Sequence, residues 1–99
     1  MTLGKVVGTV VATQKDHGLH GFKLQIVQTL DLPSLKPKES FVVAVDAVGA
    51  GEGEIVLCCS GRSARMTGAT ENRPVDAVIV AIIDAAEVEG KTVYQKGKE

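Results

Sequence analysis

The residues of this chain that could do chemistry include two adjacent cysteines, Cys58 and Cys59. On a strand, neighbouring side chains point to opposite faces, so we expect one cysteine to be a small core residue. The other should face outward or into an interface. A nucleophilic cysteine needs a base and an electropositive environment, which the sequence does not offer here. Adjacent cysteines also give no disulfide framework. We therefore predict no catalytic residue at this pair.

Two histidines, His17 and His20, lie with Asp16 in a polar loop and are candidate metal ligands. Zinc sites generally use three or four protein ligands, and the spacing of these residues is loose. We favour a solvated loop and predict neither a metal site nor a cofactor.

Three glycines, Gly49, Gly51 and Gly53, stand at alternate positions between two apolar runs. A phosphate-binding loop needs glycines that lead into a helix N-terminus. Here a strand-like run, Ile55–Cys59, follows at once, and Glu52 would repel phosphate. Glycine permits a positive φ or the close approach of another chain. We therefore interpret the stretch as a tight corner between strands, and at Gly51 we expect a conformation or contact that a Cβ would obstruct.

Two arginines, Arg62 and Arg65, flank Ser63 in the polar turn after the second run. They could bind an anion. They could equally pair with carboxylates such as Asp46 or Asp76, or with a neighbouring chain, and we favour this structural pairing.

The elements that position these residues are short apolar runs separated by turn signals. The predicted strands are 5–13, 22–30, 41–48, 54–59, 76–84 and 90–95, and one helical turn is predicted around 63–66. In the second strand, Leu24 and Ile26 are expected on the buried face and Lys23 and Gln25 on the other. This spacing of strands predicts an all-β domain, a small barrel or a sandwich.

The composition limits the classes of partner. The chain has 99 residues, which fits one domain over 1–99, and 11 basic against 12 acidic residues give a net charge of −1. This charge gives no reason to expect nucleic acid or an anionic membrane as partner. No apolar run reaches the roughly 18 residues of a membrane span. We expect no signal peptide and a soluble cytoplasmic protein.

One predicted strand contains a run, Ala77–Ile83, that shows no polar alternation, so both of its faces should be covered. The run Lys5–Ala12 is similar. Because a short chain has little material for covering both strands, we favour a second copy of the chain over a helix or loop of its own. We therefore expect an oligomer and no stable monomer.

Several segments together carry a family resemblance. They are 8–15, 19–24, 45–54, 60–65 and 74–84. The most specific are the block Val-Asp-Ala-Val-Gly-Ala-Gly-Glu-Gly-Glu from Val45, a Ser-Ala-Arg turn from Ser63, and the run Pro-Val-Asp-Ala-Val-Ile-Val-Ala-Ile-Ile-Asp from Pro74. In this order and spacing the chain resembles the EutN/CcmL family, the pentameric vertex proteins of bacterial microcompartment shells. Arg62 and the cysteine pair depart modestly from that pattern.

The resemblance implies an OB-like β-barrel of about five to six strands with a short helical turn. It implies a closed ring of five that caps the vertices of a polyhedral shell tiled by hexameric proteins, and it implies no catalysis. Carried over by position, the expected subunit-interface residues are Asp46, Gly49, Ala50, Gly51, Gly53, Ser63 and Arg65.

Two other classes stay open beside the shell protein. A basic aromatic face would favour an OB-fold module for a small ligand or an oligonucleotide, and the sequence shows none. A small enzyme using Cys58 or His20 would need convergent groups, and the sequence offers scattered ones. The compartment type, whether a carboxysome, an ethanolamine or diol compartment or a glycyl-radical compartment, is also left open.

Overall fold

The computed structural model describes residues 1–13, 17–19, 21–61 and 77–97. Within them the chain is all-β, as predicted, with one short 3-10 helix at His17–Leu19. The strands are β1 (Thr2–Val10), β2 (Lys23–Leu30), β3 (Pro37–Asp46), β4 (Ile55–Ser60), β5 (Ala77–Ile82), β6 (Ala85–Val88) and β7 (Lys91–Gln95). The predicted helical turn around 63–66 lies outside the described residues.

Five of these strands close into a barrel in the order β1-β2-β3-β5-β4, with β4 pairing back onto β1. All neighbours are antiparallel except β3 and β5, which are parallel. This is a small five-stranded barrel of the OB type, which confirms the predicted fold class. The strands β6 and β7 form a separate two-stranded hairpin that follows the barrel. No helix in the described ranges is long and apolar enough to cross a membrane.

The barrel interior holds the inward-pointing alternate residues of each strand, because side chains on a strand point to opposite faces with a period of two. This inner cluster consists of Val6, Val27, Ala44, Ala50, Val56, Cys58, Ala77 and Ile79. On β2 the predicted faces are reversed. Gln25 and Val27 are each 1% exposed, whereas Leu24 and Ile26 point outward and are half-buried.

A second cluster lies on the outside of the barrel wall. Val45, Cys59 and Val78, from three adjacent strands, are covered by Leu19, Phe22, Leu24 and Val80. The segment that precedes β2 thus supplies the cover for the outer faces of β3, β4 and β5. This cluster explains the reversal on β2, since Leu24 has apolar partners outside the barrel.

The two-faced run in β5 is therefore covered, at its first half, by the chain itself. Ala77 and Ile79 point into the barrel, and Val78 packs into the outer cluster. A loop of the same chain, the alternative to a second copy, accounts for this part of the run. The other two-faced run is not continuous, because β1 ends at Val10 and Val11 is 87% exposed.

Candidate functional site

The connection between β3 and β4, residues 46–54, is the tight corner that the sequence predicted, and we call it the glycine corner. It begins at Asp46, the last residue of β3, whose Oδ1 accepts hydrogen bonds from the backbone N–H groups of Val48 (3.0 Å) and Gly49 (2.8 Å). An aspartate that bonds the backbone two and three residues ahead reverses the chain locally. The side chain of Asp46 is thus used to shape the corner.

A buried amide fixes the middle of the glycine corner to the barrel. The Nε2 of Gln25 donates to the carbonyl oxygen of Ala50 (2.8 Å) and to Oδ2 of Asp46 (3.3 Å). Its Oε1 accepts a hydrogen bond from the hydroxyl of Thr9 (2.8 Å). Because Gln25 is 1% exposed, these bonds replace the water it would otherwise bind. The sequence does not predict these hydrogen bonds, because the alternation of the strand predicts that Gln25 faces solvent.

The far end of the glycine corner is held by Glu54. Its Oε1 accepts a hydrogen bond from the backbone N–H of Gly51, and its Oε2 accepts one from the Nζ ammonium of Lys96. Both donor–acceptor distances are 2.6 Å. The hydrogen bond from Lys96, then that from Gly51, holds the pKa of Glu54 below its ordinary value. The same bond raises the pKa of Lys96.

The backbone also ties this end to β1. The N–H of Gly53 donates to the carbonyl oxygen of Val6 (2.8 Å), and the N–H of Val6 donates to the carbonyl oxygen of Glu54 (3.0 Å). The glycine corner is therefore fastened to β1 and β2 and to the residue after β7. Hydrogen bonds within the chain thus hold both ends and the middle of this corner.

Two of the three glycines adopt backbone conformations that other residues avoid. Gly49 has φ of +79° and Gly53 has φ of +90°. Gly51 is not in this region, and among the described residues a Cβ there would meet Oε1 of Glu54 at 3.4 Å, an ordinary contact. The chain reverses at the flanking glycines, so its own described residues do not require a glycine at position 51. A close contact of Gly51 with another chain stays a prediction.

The expected interface residues divide by exposure. Asp46 and Ala50 are buried in their own chain, Gly49 and Gly53 are exposed, and Gly51 is half-buried. The three glycines thus offer backbone surface on the outside of the corner. Ser63 and Arg65 lie outside the described residues, as do Arg62 and Asp76.

The two cysteines lie on opposite sides of the barrel wall, as predicted. Cys58 belongs to the inner cluster and Cys59 to the outer cluster, and both are buried. Burial, and to a smaller extent the neighbouring Cys59, raises the pKa of Cys58 to about 11. A thiol with this pKa stays protonated at neutral pH, so Cys58 is unsuited to act as a nucleophile.

No three histidine, cysteine, aspartate or glutamate side chains come together to hold a metal ion in the described part of the chain. Asp16 and His20, and the side chain of His17, lie outside it. The buried side chains of Gln25 and Asp46 form hydrogen bonds with the backbone and with each other, and these bonds stabilise the glycine corner.

The fold and the glycine corner define a small structural barrel of the OB type. A family model described as "Ethanolamine utilisation protein EutN/carboxysome" matches residues 1–84. The chain is 46% identical over 96 residues to the carboxysome shell vertex protein CcmL of Nostoc sp. strain PCC 7120, covering 97% of this chain and 95% of the relative. It is 47% identical over 87 residues to the microcompartment shell vertex protein GrpN of Rhodospirillum rubrum, covering 88% and 97%.

Solved structures of the same two proteins match the barrel. The structure of Nostoc CcmL gives a TM-score of 0.91 at 46% identity and covers 97% of this chain and 100% of that one. The structure of GrpN, a pentameric microcompartment shell protein, gives a TM-score of 0.80 at 46% identity, with 89% and 100% covered. The chain belongs to the EutN/CcmL family, which confirms the resemblance. It is a structural shell protein of the vertex class and not an enzyme.

Proposed function

We propose that this chain forms closed rings of five identical subunits, which cap the vertices of a polyhedral microcompartment shell in the bacterial cytoplasm. The observation that carries the proposal is the match to pentameric GrpN over the whole length of that protein. A head-to-tail contact repeated around a ring ends growth when the rotation closes. Hexameric proteins that tile the shell faces are the neighbours that such a ring requires.

The glycine corner is the part of the subunit that we assign to the contact with the next copy. The exposed Gly49 and Gly53 and the half-buried Gly51 permit close approach, because a glycine has no side chain to hold the two chains apart. Asp46 and Ala50 support the contact from inside, since their bonds set the shape of the corner.

Two residues of the polar turn after β4 complete the proposed contact. The family resemblance supports the assignment of Ser63 and Arg65 to it. The hydroxyl of Ser63 and the guanidinium of Arg65 can donate hydrogen bonds to the backbone carbonyl groups of a glycine-rich surface.

The test has two measurements. Light scattering behind a sizing column should give a mass of five subunits at micromolar concentration, and a mass of one, two or three subunits would refute the vertex role. Mixed with the hexameric shell proteins encoded beside its gene, the chain should produce closed polyhedra in electron micrographs, where the hexamers alone give open sheets or tubes. The encapsulated enzymes encoded there would name the compartment.

A further inference from the structure

The outer face of β3 carries two large apolar side chains that the described chain leaves in water. Phe41 is 58% exposed and Val43 is 49% exposed. They alternate with Val42 and Ala44, which belong to the barrel interior, so both point outward. We call Phe41 and Val43 the apolar row.

The apolar row continues a surface that is already covered further along the same strand. Val45, two residues on, is 3% exposed because it packs in the outer cluster with Leu19 and Phe22. The cover ends between Val45 and Val43. The cross-strand neighbour of Val43 is the half-buried Ile26, so the uncovered surface extends onto β2.

The apolar row also runs along the strand that ends in the glycine corner. Val48, in the corner itself, is 41% exposed. The covered Val45 separates Val48 from the apolar row, so the strand and the corner present two exposed apolar sites rather than one patch. Neighbouring exposed apolar side chains are typical of a surface that another molecule covers. Exposed apolar side chains also occur singly elsewhere, as at Leu32 (60%), on the loop between β2 and β3.

We propose that the apolar row is covered by a second copy of this chain, and that Phe41 and Val43 form one side of the contact between neighbouring subunits of the ring. This inference rests on the proposed function. A second copy is the occupant because the similar GrpN is pentameric, and each subunit of a ring must present a surface to the next copy. The row also lies on β3, the strand that ends in the glycine corner. Since a ring contact is heterologous, the surface that receives the row is a different part of the neighbour.

The first test compares two variants that remove exposed apolar side chains. The double variant Phe41→Ser/Val43→Ser should shift the concentration of half-dissociation at least tenfold upward, measured by light scattering over a dilution series. The control, Leu32→Ser, should leave it unchanged. Far-UV circular dichroism shows whether each variant keeps the barrel. A double variant that forms rings as stable as those of the natural chain would overturn the inference.

A second test avoids destabilising changes. A photo-crosslinking phenylalanine analogue replaces Phe41, and in a control chain it replaces Leu32. On irradiation, the first should give covalent pairs of this chain, and mass spectrometry should place both linked peptides in different copies. Links confined to one chain, or formed only with an added hexameric shell protein, would overturn the inference. A natural chain that is monomeric would refute the proposed function itself, whereas rings without links at position 41 refute only this assignment.

Discussion

Single residues decide the shape of the glycine corner, and Gln25 shows how. An apolar residue at this position would leave the Ala50 carbonyl oxygen and one carboxylate oxygen of Asp46 without their donor. A buried polar atom without a partner costs about 1–3 kcal/mol. The sequence could predict a corner, because alternate glycines between two apolar runs have few other uses. It could not identify the hydrogen bonds of Gln25, because this partner of Asp46 lies 21 residues earlier, on another strand.

The glycines should differ in their tolerance of a methyl group. Gly53→Ala forces a side chain into a backbone conformation with φ of +90°, which costs about 1–3 kcal/mol. Gly51→Ala, with φ outside this region and an ordinary contact at 3.4 Å to Glu54, should cost less than about 1 kcal/mol. Urea unfolding of both variants measures the difference. Equal losses would mean that the glycine corner does not have this geometry.

The thiol of Cys58 should react slowly in the folded chain. Its pKa of about 11, against an ordinary 9.0, reduces the thiolate about 100-fold near pH 8. In the Cys59→Ala variant, burial, the larger cause, still raises the pKa of Cys58, so a thiol reagent should label it at least roughly tenfold more slowly when folded than in urea. Equal rates in the two states would contradict both the burial and the non-catalytic assignment of this cysteine.

The elements show which features a sequence pattern can specify. Five strands were predicted at their approximate positions in the barrel, because β-branched runs between turn signals are typical of strands. β6 was missed, since Ala85–Val88 contains two alanines and a glutamate, residues that are depleted in strands. Its turn has positive φ at both Glu89 and Gly90, where the commonest hairpin signal is Asn-Gly.

The faces of β2 were reversed for a different reason. Alternation gives the period of a strand, but the inward face is decided by what covers the other side. Here the outer cluster covers Leu24, while Gln25 bonds the glycine corner from inside. No local pattern contains that information, since the covering residues Leu19 and Phe22 precede β2, Leu19 as the last residue of the 3-10 helix.

The bond between Glu54 and Lys96 joins the glycine corner to the end of the hairpin and should make stability depend on pH. The folded pKa of Glu54 is lowered, so its contribution is present above the ordinary glutamate pKa and is lost as pH falls through the lowered value. The folded pKa of Lys96 is raised, so its contribution is complete below the ordinary lysine pKa. It is lost as pH rises through the raised value.

We therefore expect Glu54→Gln to lower the urea midpoint at neutral pH, with the difference from the natural chain shrinking in acid. The matched control is Lys38→Gln, which removes an ion pair between Lys38 and Asp31. The two side chains are 48% and 53% exposed, respectively. Exposed pairs contribute about 0–1 kcal/mol, so this variant should change little. A Glu54→Gln difference that is the same at all pH values would show that the carboxylate does not act through its charge.

At the scale of the whole molecule, the closed barrel changes the argument for assembly. The apolar run Ala77–Ile83 predicts that a second chain covers this strand, but the chain covers much of the run itself. Closure of β4 onto β1 pairs the first strand of the barrel with the fourth and removes the open edges that invite pairing there. Within the described residues, β3 pairs with β5 only at Val45 and Asp46. The uncovered apolar surface lies instead on β3, at Phe41 and Val43. Ring formation and folding of the barrel should therefore be separable.

The last prediction follows from this separation: the ring should dissociate on dilution into folded monomers. Burying a whole Val or Phe side chain contributes about 1.5–3 kcal/mol, so covering the half-exposed Phe41 and Val43 gives about 2 kcal/mol per contact. Micromolar affinity needs about 8 kcal/mol, so the glycine corner and polar contacts must supply most of it. Mass photometry and far-UV circular dichroism over a dilution series should show the mass falling from five subunits to one while the strand signal stays constant. If the strand signal is lost together with the ring, the barrel depends on its neighbours, and the covered core described here is not sufficient to hold the fold.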